Sequence, residues 1–202
     1  MKGILFKPDM IQAIVEGRKT QTRRVANLPV NVQVNKSGVY TLIWDDENEC
    51  HWSRDYYPRY QVGETVYIKE AYSHYGNDLT LGVWTAQVIY KLDGLKRSIP
   101  FGHQFHPREK WWNTGKPINY MQTPLFMPAW AARYFIAIIS VEPQRLWEIT
   151  PRDCAAEGIE GKNMLDCYIL NDFHILWDSI NKKYPWKSNP WVWKYEFRME
   201  RK

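Results

Sequence analysis

Gly3–Arg24 reads GILFKPDMIQAIVEGRKTQTRR, and the fold follows from how this stretch is divided. Gly3–Phe6 is a short apolar run that predicts an opening strand. Pro8 to Glu16 predicts a helix, because Pro suits the first helical turn and Gly17 suits the position just past the end. Met10, Ile11, Ile14 and Val15 share one helical face, which is expected to be buried. The basic segment Gly17–Arg24, GRKTQTRR, follows directly, and four of its residues are Arg or Lys: Arg18, Lys19, Arg23 and Arg24.

Such a segment has the makings of a phosphate cradle. Backbone amides after Gly17, Thr hydroxyls and guanidinium forks all suit an anion. It is not a Walker loop, because the glycine spacing is absent. Lys19 and Thr22 are close enough in sequence for a turn to bring them together. A Lys whose pKa is lowered by neighbouring cations can activate a hydroxyl, and Arg18, Arg23 and Arg24 are such neighbours. On spacing alone, a solvated basic edge fits the segment as well.

The remaining chain predicts strands with helices near both ends. Gln61–Tyr72 (QVGETVYIKEAY) starts with a Gly63-Glu64 turn and continues as a strand. Val39–Trp44 and Leu81–Tyr90 are further strand candidates. Arg133–Val141 (RYFIAIISV) is apolar on both faces, as in a strand buried on both sides. Thr150-Pro151 reads as an N-cap and first helical residue, with the short helix stopping at Gly158. Cys167–Asn181 predicts a longer amphipathic helix burying Leu170, Phe173, Leu176, Trp177 and Ile180. At the end, Trp191, Trp193, Tyr195, Phe197 and Met199 alternate with Lys194, Glu196 and Arg198, a strand period with one wet face. Residues 91–123, rich in Gly, Pro, His and Trp, read as a long ordered loop or insertion. The expected class is α+β, as a small mixed barrel or strongly curved sheet.

Composition bounds the function. The 202 residues are 45% hydrophobic and 24% charged, enough for a real core without staples. The net charge of +5 favours polyanions without requiring them. The 11 Trp and 13 Tyr are core filler first and stacking platforms for bases second. Cys50, Cys154 and Cys167 are too few and too widely spaced for a disulfide framework. No signal peptide and no membrane-length apolar run is present, so a cytoplasmic setting and no membrane partner are expected. No dinucleotide fingerprint and no G-x-S-x-G occurs, and no cofactor is expected. His103 and His106 with Cys50, His51 or Cys154 lack zinc-finger spacing, so no metal is expected either.

Two carboxylates stand out. Glu157 falls at the C-terminal end of the predicted short helix, where it opposes the helix dipole at a cost of roughly 0.3 kcal/mol or more. Glu16 stands at a similar place, and the sequence alone does not separate them. Glu70 ends the strand VYIKEAY, either facing a cleft or as a surface acid.

The run ILFKPDMIQAIVEGRKTQTRR resembles the opening of the ASCH domain, a member of the PUA-like superfamily. Its hallmark is a helix followed by G-x-K-x-x-T-x-R, here Gly17, Lys19, Thr22 and Arg24. The segments VGETVYIKEAY, FMPAWAARYFIAIISVEPQRLWEITPRDCAAEGI and LWDSI…NPWVWKYEF are similar to a longer phage and prophage-type branch. The resemblance implies a PUA-like mixed β-barrel with flanking helices, one domain over residues 1–202, with an insertion at about 75–122 that a minimal ASCH domain lacks. ASCH proteins are thought to act on RNA or modified nucleosides, and some small members hydrolyse the acetyl amide of N4-acetylcytidine. In those, a Lys and a Thr of the hallmark work with a Glu that follows the later short helix, which implies catalytic roles for Lys19, Thr22 and Glu157. The implied function is hydrolysis of modified nucleosides, with a non-catalytic RNA- or DNA-binding module or an RNA-cleaving enzyme as alternatives. The implied partners are a nucleoside, RNA or single-stranded nucleic acid. Arg23, Arg24 and Glu70 are expected to bind substrate. Thr22, Lys19 and an activated water are each open as the nucleophile.

Overall fold

A computed structural model describes residues 1–26, 40–45, 51–80, 83–101, 121–160 and 166–200. The elements are β1 (Gly3–Leu5), α1 (Pro8–Val15), β2 (Gln21–Val25), β3 (Tyr40–Asp45), β4 (His51–Tyr56), β5 (Thr65–Lys69), β6 (Tyr72–Thr80), β7 (Val83–Tyr90), β8 (Lys96–Phe101), β9 (Phe135–Arg145), α2 (Pro151–Ala156), α3 (Asp166–Ile180) and β10 (Trp191–Glu200). The α+β class expected from the sequence is the observed one. Among the described strands β1 lies beside β5, and β10 lies between β9 and β2. Among the described residues no helix is long and apolar enough to cross a membrane.

The chain divides into two compact units. One comprises Met1–Ile11 and Val66–Phe135. Within it β1 runs parallel to β5, and β6, β7 and β8 form a three-stranded antiparallel sheet. Its core holds Tyr67, Tyr72, Val88, Tyr90, Met127 and Phe135. The buried tyrosine hydroxyls find acceptors: Tyr90 donates to the Ala131 carbonyl at 2.8 Å and Tyr67 to that of Met127 at 3.0 Å. Here the expectation of a long ordered loop from residue 91 needs correction, because Lys96–Phe101 pairs with β7. The strand was hidden because Pro100 and the basic Lys96 and Arg97 weaken its apolar period. Residues 102–120, with His103 and His106, lie outside the described residues, as does Cys50.

The other unit comprises Gln12–Thr65 and Ile136–Arg201. In it β2 pairs antiparallel with β10, Thr22 opposite Tyr195 and Arg24 opposite Trp193. β3 pairs with β4. Its core joins Leu146, Ile149, Cys154, Phe173, Trp177 and Val192, from the segment around α2, from α3 and from β10. Burial departs from the sequence reading at element ends. Ile180 is exposed at the last turn of α3, and Val15 at that of α1. Phe135–Ile138 is buried throughout, whereas Ile139 emerges, so only the first half of β9 is covered on both faces.

Helices α1 and α2 end alike, and both ends build the site. After α1, the Gly17 amide bonds the Ile14 carbonyl at 3.0 Å and the Arg18 amide bonds that of Ala13 at 2.9 Å. After α2, the Gly158 amide bonds Ala155 at 2.9 Å and the Ile159 amide bonds Cys154 at 3.2 Å. Each is a Schellman motif, which needs a left-handed residue just past the helix. Gly17 and Gly158 supply it with φ of 77° and 85°.

Candidate active site

Lys19 lies two residues past the α1 cap, and a single antiparallel bridge joins it to Glu157 at the end of α2. The bridge is made by backbone and side chain together. The Thr20 amide donates to the Ala156 carbonyl at 2.8 Å, and Lys19 Nζ donates to the Glu157 carbonyl at 2.7 Å. With the Schellman bonds, every carbonyl from Asp153 to Glu157 has a donor. The Lys19 ammonium thus sits at the negative end of α2, where a cation is favoured.

The same ammonium donates to Glu157 Oε2 at 2.6 Å. Arg23 Nη1 donates to the other oxygen, Oε1, at 3.1 Å. Glu157 therefore tolerates the unfavourable end of a helix because two cations face it. This separates it from Glu16, whose partners Arg18 and Gln12 are exposed. The Lys19 and Arg23 side chains have no exposed surface, and Glu157 keeps 6%. Of this trio, the carboxylate is the member that a solute can touch.

Arg23 reaches further. Its Nη2 lies 3.2 Å from Asp153 Oδ2. The Gln144 amide, turned so that its oxygen meets donors, accepts from Arg23 Nε at 2.9 Å and Nη2 at 3.2 Å. Asp153 also closes the capping box of α2, accepting from the Thr150 amide at 3.1 Å and hydroxyl at 2.9 Å. Asp153 and Gln144 escaped the sequence reading. The available signal was the i, i+4 spacing of Asp153 and Glu157, which puts both carboxylates on one helical face.

The remaining candidates are placed differently. Thr22 is buried in β2, and its hydroxyl hydrogen-bonds neither Lys19 nor Glu157. Arg24 is half-buried, and burial lowers the proton affinity of its guanidinium while Tyr60, Glu157 and Tyr195 oppose that. Glu70 belongs to the other unit. There Arg133 Nε and Nη2 grip its two oxygens, each at 2.7 Å, and the guanidinium lies over the rings of Tyr90 and Tyr134. The third nitrogen of Arg133, Nη1, bonds Asp93 at 2.7 Å. The amides expected to cradle phosphate are spent: those of Gly17, Arg18 and Lys19 close the α1 cap, and that of Thr20 bonds α2.

Burial pushes the Lys19 ammonium below its ordinary 10.5; Glu157 pulls it up, while Arg24 and Arg23 add to the depression. Burial also raises Asp153, but the Thr150 bonds and the Arg23 and Lys194 charges outweigh it and hold the carboxyl below its usual range. The Cys154 thiol and the Tyr195 phenol are pushed up to about 12 by burial, as is Tyr72 in the other unit.

These shifts fix the alkaline behaviour. The unfolded chain ionises Cys near 9.0 and Tyr near 10.0, whereas the folded chain keeps these groups neutral up to about 12. Their stabilisation is complete below pH 9.0 and is lost as pH rises toward 12. Lys19 acts oppositely, adding stability as pH rises toward 10.5, but burial also raises the phenols of Tyr67, Tyr90 and Tyr134, which act with the Cys154, Tyr72 and Tyr195 groups. Thermal melts should therefore show a falling Tm from about pH 9 upward. A Tm that stays level from about pH 8 to pH 11 would contradict this assignment.

Comparison with protein-family models, with curated proteins and with solved structures gives no match to this chain in any of the three.

Proposed function

We propose that the chain is an ASCH-type, PUA-like protein that hydrolyses the amide of an N4-acylated cytidine or a related modified nucleoside, with Glu157 moving the proton. One observation carries this reading: Lys19 Nζ stands 2.6 Å from the Glu157 carboxylate, joining the basic segment to the end of α2 from 138 residues away. The order of parts supports the family reading. A strand and a helix precede Gly17, Lys19 follows, Thr22 and Arg24 lie on the next strand, and Glu157 follows the later short helix.

In this reading water is the nucleophile, because among the described residues neither Lys19 nor Glu157 bonds the Thr22 hydroxyl as a base. Glu157 takes a proton as the water oxygen bonds to the acyl carbon. The tetrahedral intermediate collapses, the C–N bond breaks, and Glu157 returns the proton to the departing nitrogen. The products are the free exocyclic amine and a carboxylic acid. Lys19 holds Glu157 oriented from behind, bonding its carboxylate and its carbonyl.

Hydrolysis of an uncharged acyl nucleoside is preferred to polyanion binding on one ground. Arg18, Lys19 and Arg23 are each ion-paired to carboxylates. The test is mass spectrometry of a panel of acylated and otherwise modified nucleosides incubated with the chain. N4-Acetylcytidine should yield cytidine and acetate, and Lys19→Met should slow this by about a hundredfold. A folded wild-type chain that deacylates nothing in the panel would refute the reading.

A further inference from the structure

We propose that Arg23 is the positioning residue of this site: held by Gln144, its guanidinium bridges Asp153 in α2 and Glu157 just past its end, and thereby fixes the Glu157 carboxylate. The proposal rests on the reading of Glu157 as the proton-transfer group.

The geometry is that of a clamp. Gln21, Arg23 and Val25 share one face of β2, because strand side chains alternate. From that face one planar fork meets Asp153 in α2 and Glu157 just past its end, with Nη1 on Glu157 at 3.1 Å and Nη2 on Asp153 at 3.2 Å. Gln144 on β9 takes the Nε edge at 2.9 Å, so the fork cannot rotate about its own axis. Asp153 is itself pinned at the start of α2 by the Thr150 capping box. The start of the helix is thus tied to its end through a single guanidinium. Lys19 alone holds Oε2 and the carbonyl, which leaves the carboxylate plane free to swing about that contact. Arg23 on Oε1 removes that freedom. Its buried side chain gives it no surface for a substrate, so its effect runs through Glu157. A lysine there supplies charge to one carboxylate and cannot bridge both.

The test compares the full chain with Arg23→Met, Arg23→Lys and Asp153→Asn. Steady-state kinetics on N4-acetylcytidine are measured together with the NMR titration of the Lys19 side chain, and the fold is checked by circular dichroism. Arg23→Met should lower kcat by roughly ten- to a hundredfold, with KM changed by less than about threefold. Arg23→Lys should recover part of that loss, and Asp153→Asn should lower kcat several-fold. The Lys19 titration should move to higher pH in Arg23→Met, since a neighbouring cation is gone, and stay near wild type in Arg23→Lys. A folded Arg23→Met with wild-type kcat and an unmoved Lys19 titration overturns the proposal. If Arg23→Met fails to fold, an unchanged kcat in Asp153→Asn overturns it instead. If the wild-type chain deacylates no nucleoside, the function reading fails, and the Lys19 titration decides the clamp by itself.

Discussion

Glu157→Gln is expected to cut amide hydrolysis by about 10²- to 10⁴-fold, the range for removing a general acid–base group. The isosteric amide keeps the volume and can still accept from Lys19 or Arg23, so the fold should survive. Glu157→Ala should behave differently, because it removes the carboxylate that Lys19 and Arg23 share at 2.6 Å and 3.1 Å. Two buried cations are then left without the carboxylate between them, while the carbonyl at position 157, Asp153, Gln144 and Gln21 remain among their acceptors. Breaking a buried pair from one side costs about 3–5 kcal/mol. In a chain of this size that is a Tm loss on the order of 10 °C. Calorimetry and kinetics on both variants separate the effects. Glu157→Gln with full turnover removes Glu157 from the chemistry. Glu157→Ala with an unchanged Tm would mean that the pair holds nothing together.

Gly158→Ala is expected to be the more damaging of two chemically identical substitutions, the other being Gly17→Ala. Both glycines have positive φ, 85° and 77°, so both variants carry the left-handed penalty of roughly 1–2 kcal/mol. A Cβ at Gly17 meets nothing within 4 Å, whereas one at Gly158 comes within 3.0 Å of Lys19 Cβ and 3.2 Å of Ala13 Cβ. The α2 cap is packed against the residue it must hold. Gly158→Ala should therefore lose about 1 kcal/mol more than Gly17→Ala, because Lys19 and Ala13 must give way. It should also slow turnover, since Lys19 moves with its stem. Denaturant melts giving equal losses would show that the cap and Lys19 are not in register.

Much of the frame was legible along the chain because its signals are local. Pro8 and Gly17 delimit α1, Thr150 and Gly158 delimit α2, and Trp191–Glu200 announces β10 by its alternation. Caps, left-handed positions and a two-residue period depend on a few neighbouring residues. The β8 strand lacked such a signal, and its place comes from pairing with β7.

The site was legible only in part. Lys19 and Glu157 were reached through a resemblance, and their contact is long-range. The role of Arg23 was not readable. In sequence it is one more cation of GRKTQTRR, and an exposed rim residue looks the same as a buried clamp. Which it is depends on strand alternation, on Asp153 standing one turn before Glu157, and on Gln144 from a third element.

By itself, then, the sequence determined where this chain turns, caps and alternates, and that a dense run of cations follows its first helix. Only the tertiary structure decided what those cations face. The amides after Gly17 are consumed by the helix cap and by α2, Arg18 lies with Glu16 and Glu160, and Lys19 and Arg23 converge on Glu157. The physical reason is desolvation. A buried cation must find an anion, and the anion that meets it is chosen by how distant segments pack, which no local pattern encodes.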